Sequence, residues 1–254
     1  MLETITRRRW LGGVVAAGAS FTIVPRHVLG GANHTAPSDK LALAGVGIGG
    51  IGFPQLQACE SAGFEIVALC DVDHVYASRT LDRWPQAKRF RDYREMYEAM
   101  GTRIDAVYCG TPDHSHAVIV LPALRAKKHV CCVKPITRTI VESRKVVETA
   151  RAAGVATTDT SSSNTSDGAC RTCELIWAGA IGPVRELHMW SDRPWWPQGM
   201  ARPSGEDPVP DSLDWNLWIG PAAMRPFKAV WPDEHLALEQ VERRFQKAVY
   251  HPWN

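Results

Sequence analysis

The chain has 254 residues, 45% hydrophobic and 22% charged, which is long enough for one large or two small domains and excludes a disordered or fibrous protein. The formal net charge of +2 is misleading, because Arg7, Arg8, Arg9 and Arg26 against Glu3 put +3 in the first 32 residues. The rest sits near −1 and offers no basic stripe to nucleic acid.

Residues 1–37 read as an export signal and linker. Thr6-Arg7-Arg8-Arg9-Trp10-Leu11 has the twin-arginine pattern, and Gly12 to Val24 is a weakly hydrophobic run of small and apolar residues. That run is too short for a comfortable membrane span. The expected destination is the periplasm or another extracytoplasmic space.

Residues 38–158 predict a dinucleotide-binding Rossmann domain. Leu41, Leu43 and Val46, with alanines between them, make a buried strand that ends in a glycine cluster. Two registers fit G-x-G-x-x-G: Gly45, Gly47, Gly50 and Gly47, Gly49, Gly52. The second leaves the strand whole and is preferred. In such a turn one glycine allows a tight bend, the next lets backbone N–H groups approach a pyrophosphate, and the third packs helix on strand. The helix N-terminus that follows favours an anion. A helix through Gln55 to Ala62 stops at Gly63, and an apolar strand from Phe64 to Cys70 ends in Asp71. Asp71 lies 24 positions past Gly47, where an acid would hold ribose hydroxyls.

Further along, a polar helix is expected from about His74 to Trp84, then a short strand at Lys88-Arg89-Phe90. Asp92-Tyr93-Arg94-Glu95 reads as a capping box for a helix ending at Gly101. Ile104 to Cys109 is a buried strand, followed by Gly110-Thr111-Pro112. The next helix turns Ala117, Val118, Leu121 and Leu124 inward. His129 to Val133 is a strand broken by Lys134-Pro135, and Thr139 to Glu142 caps a helix reaching Gly154. This alternation predicts an α/β fold with a doubly wound parallel sheet.

Residues 159–254 differ in composition from the alternating strands and helices before them. Asp159 to Ser166 is a polar loop, a helix carries Cys170, and Val184 to Ser191 is a candidate strand. From Asp192 to Pro232 the chain is dense in proline and tryptophan, which suits either sugar stacking or packing. Seven cysteines are spread along the chain, most of them inside apolar runs where a thiol acts as a small hydrophobe. Cys170 and Cys173 share one helical face with Ala169, Ile176 and Trp177, so core packing is favoured over a redox or metal pair. A second CxxC is absent, and no zinc site is expected.

Three motifs fall at strand carboxyl ends, where open α/β sheets bind ligands. They are the glycine turn with Asp71, the run Thr111-Pro112-Asp113-His114-Ser115-His116, and Lys134-Pro135. Lys134 is the candidate catalytic residue, able to stabilise developing alkoxide charge. His114 and His116 are candidates for orienting cofactor or substrate.

The order GIGGIG, ALCDVD, GTPDHSHAVIVLPALRAKKHV and KP resembles the Gfo/Idh/MocA oxidoreductases, particularly exported members with a twin-arginine signal. VPRHVLGG, RFRDYREM, WAGAIGPVRELHMW, RPWWPQG, LDWNLWIGPA and YHPWN extend the resemblance over nearly the whole chain. It implies NAD as cofactor, with NADP as an alternative, held by Gly47, Gly49, Gly52, Asp71, Thr111, Pro112, His114, His116, Lys134 and Pro135. It also implies a sugar, cyclitol or related polyol as substrate and an open sheet that can serve as a homo-oligomer interface. Val133 stands where the family usually has glutamate, and Thr160-Ser161-Ser162 where relatives show Gly-Asn-Gln. The family's downstream sheet, with the Asp and His that pair with the lysine, would fall past Asn254, so the resemblance implies that residues 159–254 are a partial, truncated substrate or oligomerisation domain of the α/β class with an open sheet. The readings left open are hydride transfer, nucleotide binding without turnover in a truncated chain, and redox-neutral chemistry of the kind NAD-dependent glycosidases perform.

Overall fold

The structure is a computed structural model and describes residues 36, 39–161, 166–191, 201, 203–233, 235 and 238. The twin-arginine segment, the Trp195-Trp196-Pro197 stretch and the YHPWN motif lie outside the described residues. The chain divides into two units, residues 1–40 and 41–254. In the first, the Asp39 amide donates to the Ala36 carbonyl at 2.9 Å.

The second unit is built on six parallel strands in the order β3-β2-β1-β4-β5-β6. These are β1 (Ala42–Val46), β2 (Glu65–Cys70), β3 (Lys88–Phe90), β4 (Ala106–Cys109), β5 (His129–Cys132) and β6 (Thr157–Asp159). Helices α1 (Gly52–Ser61), α2 (Ser78–Arg83), α3 (Tyr93–Met100), α4 (His116–Arg125) and α5 (Ile140–Ala153) supply the crossovers. This is the expected doubly wound α/β sheet of a Rossmann fold, with its order reversing between β1 and β4.

The alternation within strands decides which side chains face which helices. Ala44, Val46, Val107, Cys109, Val130 and Cys132 pack on one face under α3, α4 and α5. Leu43, Ile66, Ala106 and Tyr108 pack on the other, under Leu56 of α1 and Leu81 and Trp84 beside and within α2. Helices cover both faces over β1, β2, β4 and β5, as a parallel sheet requires, while β6 at the edge is exposed.

Element ends follow their caps. Thr139 and Glu142 form the reciprocal capping box of α5, which ends at Gly154 in the left-handed region. The box expected at Asp92 is only half made. Asp92 accepts from the Arg94 amide, and its carboxylate is also gripped by the Arg94 side chain, 2.6 Å from Nη2 to Oδ2. The helix expected from His74 is shortened to Ser78–Arg83, because Asp73 takes the amides of Val75 and Tyr76 into a turn.

Past β6, two expectations are corrected. Helix α6 (Asp167–Trp177) forms, but Cys170 and Cys173 on it are exposed rather than packed in a core, and no residue of α6 is buried. Its apolar stripe is covered by nothing among the described residues. Val184 to Ser191 has no regular structure, and no described strand pairs with it. No sheet of a second domain is found among the described residues. One antiparallel bridge, Asp73 to Leu213, joins the later chain to the end of β2. It precedes a short helix, α7 (Trp215–Ile219), capped by the Asp214 carboxylate on the Leu217 amide. Among the described residues no helix is long and apolar enough to cross a membrane.

Candidate functional site

The loops after β1 and β4 meet where the strand order reverses. The Gly110 amide donates to the Val46 carbonyl at 2.7 Å, and the Gly47 amide to the Cys70 carbonyl at 2.9 Å. Gly47 has φ +72°, and a Cβ there would fall on the Thr111 amide nitrogen. Gly52 opens α1, and a Cβ on it would lie 2.6 Å from the Gly47 carbonyl oxygen. The turn thus bends at Gly47 and packs helix on turn at Gly52, while Gly50 also has a positive φ of +46°. The buried Thr80 hydroxyl ties the same turn to α2 by donating to the Ile48 carbonyl at 2.6 Å.

Asp71 closes the turn from the end of β2. Its Oδ2 accepts from the amides of Ile48 at 2.9 Å and Gly49 at 3.1 Å, and its Oδ1 from the Asp73 amide at 3.0 Å. Burial raises its pKa above the usual carboxylate range, outweighing the three amides that favour the anion. Oδ2 spends both lone pairs on the turn, while Oδ1 keeps one for a further donor. The amides of Gly50 and Ile51, next in the turn, have no acceptor among the described residues and sit at the N-terminus of α1. Together they form a site for an anion flanked by a carboxylate that can accept a hydroxyl.

A cavity of about 480 Å³ runs along these strand ends. Gly47, Gly49, Asp71, Thr111 and Pro112 line it, so the glycine turn, its acid and the loop after β4 are brought together. Its far wall was not foreseen as part of a site. Leu213, Asn216, Leu217, Trp218 and Gly220 of the α7 segment face the glycine turn across the cavity. That segment is held by its aromatic cluster: the Trp215 and Trp218 rings stack at 4.9 Å and 17°, with Phe227 edge-on to Trp215 at 5.1 Å. Tyr76 and Tyr93 line the cavity too. The Tyr76 ring lies against Gly49 so closely that a Cβ there would overlap it. The sequence signal for the far wall was LDWNLWIGP, an Asp-capped aromatic turn.

Other expected site residues stand apart from the cavity lining. His114 Nε2 is 3.0 Å from the Trp218 carbonyl and its ring is 5.4 Å from that indole, so it anchors the α7 segment. Burial lowers its pKa, which keeps the imidazole neutral as a donor to that carbonyl. His116 is fully buried, with Nδ1 at 2.7 Å from the Pro135 carbonyl and Nε2 at 2.7 Å from the Thr111 carbonyl. Lys134 and Pro135 follow β5 at an exposed turn, where the Lys134 amide is 3.4 Å from the Thr160 hydroxyl.

Comparison with known proteins places this geometry. Residues 41–159 match the family GFO_IDH_MocA, described as an oxidoreductase family with an NAD-binding Rossmann fold. Inositol 2-dehydrogenase of Salmonella typhimurium is 32% identical over 106 residues, covering 41% of this chain and 31% of that protein. D-xylose 1-dehydrogenase (NADP(+)) of Hypocrea jecorina is 30% identical over 135 residues, covering 52% of this chain and 34% of that protein. The structure of an inositol dehydrogenase homolog from Azotobacter vinelandii, complexed with NADH and myo-inositol, is similar with a TM-score of 0.53 at 28% identity, over 57% of this chain and 41% of that one. The chain spans about a third of the length of the curated relatives it matches.

Proposed function

Taking residues 41–159 as an NAD-binding Rossmann domain of the Gfo/Idh/MocA oxidoreductases, we propose that the chain serves hydride transfer between NAD and a hydroxyl-bearing carbon of a sugar, cyclitol or related polyol. The observation that carries the proposal is the Gly47 turn joined to Asp71 across the head of a cavity at the strand-order reversal. A Cβ would fill that cradle, and its donors and single acid suit a pyrophosphate beside a ribose. The curated similarity to inositol and xylose dehydrogenases supports the substrate class.

In this account the Gly50 and Ile51 amides and the α1 dipole hold the pyrophosphate. Ionised Asp71 accepts from a ribose hydroxyl at Oδ1 and repels a 2′-phosphate, which favours NAD over NADP. Bound NAD supplies the hydride acceptor. Thr111 and Pro112 wall the cavity beyond the glycine turn, and the α7 segment lines it as well. Lys134 is assigned to stabilising the alkoxide as the substrate hydroxyl loses its proton. A second reading, cofactor held without turnover, is favoured by one observation: Lys134 is exposed and does not line the cavity.

Stopped-flow mixing of NAD-loaded protein with a panel of cyclitols and aldoses separates the two. NADH absorbance growing with one of them supports hydride transfer, and a flat trace across the panel with NAD still bound supports the second reading. The Thr6 to Leu11 pattern supports a further proposal, export by the twin-arginine route. Fusing residues 1–37 to a folded reporter should carry it across the inner membrane, and Arg7→Lys with Arg8→Lys and Arg9→Lys should stop it.

A further inference from the structure

His116 opens α4 beneath the loops that follow β4 and β5, with none of its surface exposed. Both ring nitrogens stand 2.7 Å from backbone carbonyl oxygens, Nδ1 from that of Pro135 and Nε2 from that of Thr111. A carbonyl oxygen only accepts, and a neutral imidazole has a single N–H. With one bare nitrogen, a lone pair would face a carbonyl lone pair at hydrogen-bond distance. Two N–H donors satisfy both carbonyls, and they make the ring a cation.

A buried cation needs a compensating anion. The side-chain atoms of Cys109, His116 and Cys132 lie within 4.8 Å of one another, all three buried. Cys109 and Cys132 are paired neighbours on β4 and β5, so both thiols project from the same face of the sheet. We propose that His116 is a doubly protonated positioning residue, paired with a Cys109 thiolate, that holds the Thr111 loop and the Lys134-Pro135 turn at a fixed spacing. The titration of the thiols agrees. Burial pushes Cys109 up, yet the hydrogen bond from Cys132 and the charge of His116 bring it down to about 7, while the Cys132 thiol is pushed far up by its bond to Cys109. The Cys132 thiol keeps its proton, and its sulfur also lies 3.9 Å from the Ile136 carbonyl oxygen. The Thr111 hydroxyl, 3.5 Å from the Cys109 sulfur, is a further donor to the thiolate.

The positioning role rests on the functional reading above: one loop walls the cofactor cavity and the other carries the lysine assigned to the alkoxide. Two cysteines and a histidine at this spacing also resemble the ligand set of a soft metal ion. Both nitrogens are spent on carbonyls, however, and a coordinated nitrogen cannot donate.

The test is long-range 1H–15N spectroscopy of the histidine-labelled full chain at pH 7.5, with His116 assigned by the signal lost in His116→Gln. Two protonated, imidazolium-type nitrogens are expected in the wild type, and a neutral ring in Cys109→Ser. NAD affinity is expected to fall about tenfold in Cys109→Ser, together with a lower melting temperature, because one of the two carbonyls then faces a bare ring nitrogen. A bare nitrogen in the wild type, an imidazolium that persists in Cys109→Ser, unaltered NAD affinity in that variant, or stoichiometric zinc or copper in the purified protein would each overturn the proposal. Failure of the wild type to bind NAD would instead remove the functional reading and leave the charge state of His116 standing on its spectrum.

Discussion

At the scale of single residues, the account depends on backbone that tolerates no side chain and on a carboxylate tied to it. Gly47→Ala places a methyl on the Thr111 amide at a φ that L-residues resist, so it should cost about 2 kcal/mol or more in a denaturant titration and abolish NAD binding. Asp71 allows a pH test with a definite sign. Its folded pKa is raised, so the stability linked to it is full below the ordinary carboxylate pKa and declines as pH rises through the folded value. Ribose binding requires the ionised form, so NAD affinity should climb over that same window. Isothermal titration across it should show the climb in the wild type and a flat, weaker profile in Asp71→Asn. Tyr108 makes an independent check on packing: its buried hydroxyl has no partner among the described residues, and Tyr108→Phe should leave stability unchanged or raise it by up to about 1 kcal/mol. The glycines and Asp71 were legible in the sequence because each is required by local backbone geometry at a fixed spacing. His114 was legible only as a polar residue at a helix start, since its partner, the Trp218 carbonyl, is 104 positions away.

At the scale of elements, the piece that changes the picture is α7. Its Asp214 cap and its stacked indoles make a rigid plug, with the Arg225 guanidinium 5.7 Å from the Trp218 ring. Its signal was LDWNLWIGP in a stretch dense in tryptophan, which shows that a segment packs but not against what. His114→Ala removes the bond that holds the Trp218 carbonyl. Hydrogen exchange over residues 213–221 should then rise and NAD affinity should drop, while the sheet keeps its protection. Unchanged exchange in that segment would mean the aromatic cluster alone holds it. The helix at Cys170 shows the opposite failing. Its periodicity correctly marked a helix, but periodicity marks an apolar face without saying whether anything covers it, and among the described residues nothing does. The same holds for Val184 to Ser191, a candidate strand for which no described neighbour supplies the ladder.

At the scale of the molecule, six parallel strands in the order β3-β2-β1-β4-β5-β6 bring the ends of β1, β2 and β4 to one edge, and the cavity follows from that convergence. This architecture was readable because strand and helix alternate with short, well-capped connections, each decided within a few residues. The closing of the cavity by residues 213–221 was not, since it depends on contacts across more than a hundred positions. The central claim is that this cavity binds NAD. Its most direct test is a titration of the full chain with NADH and NADPH, followed by indole fluorescence and calorimetry, with Trp218 at the cavity wall as reporter. The account predicts saturable one-to-one binding of NADH, quenching of indole emission, and weaker binding of NADPH. Wild-type protein that is folded and shows neither heat nor quenching with NADH would contradict it.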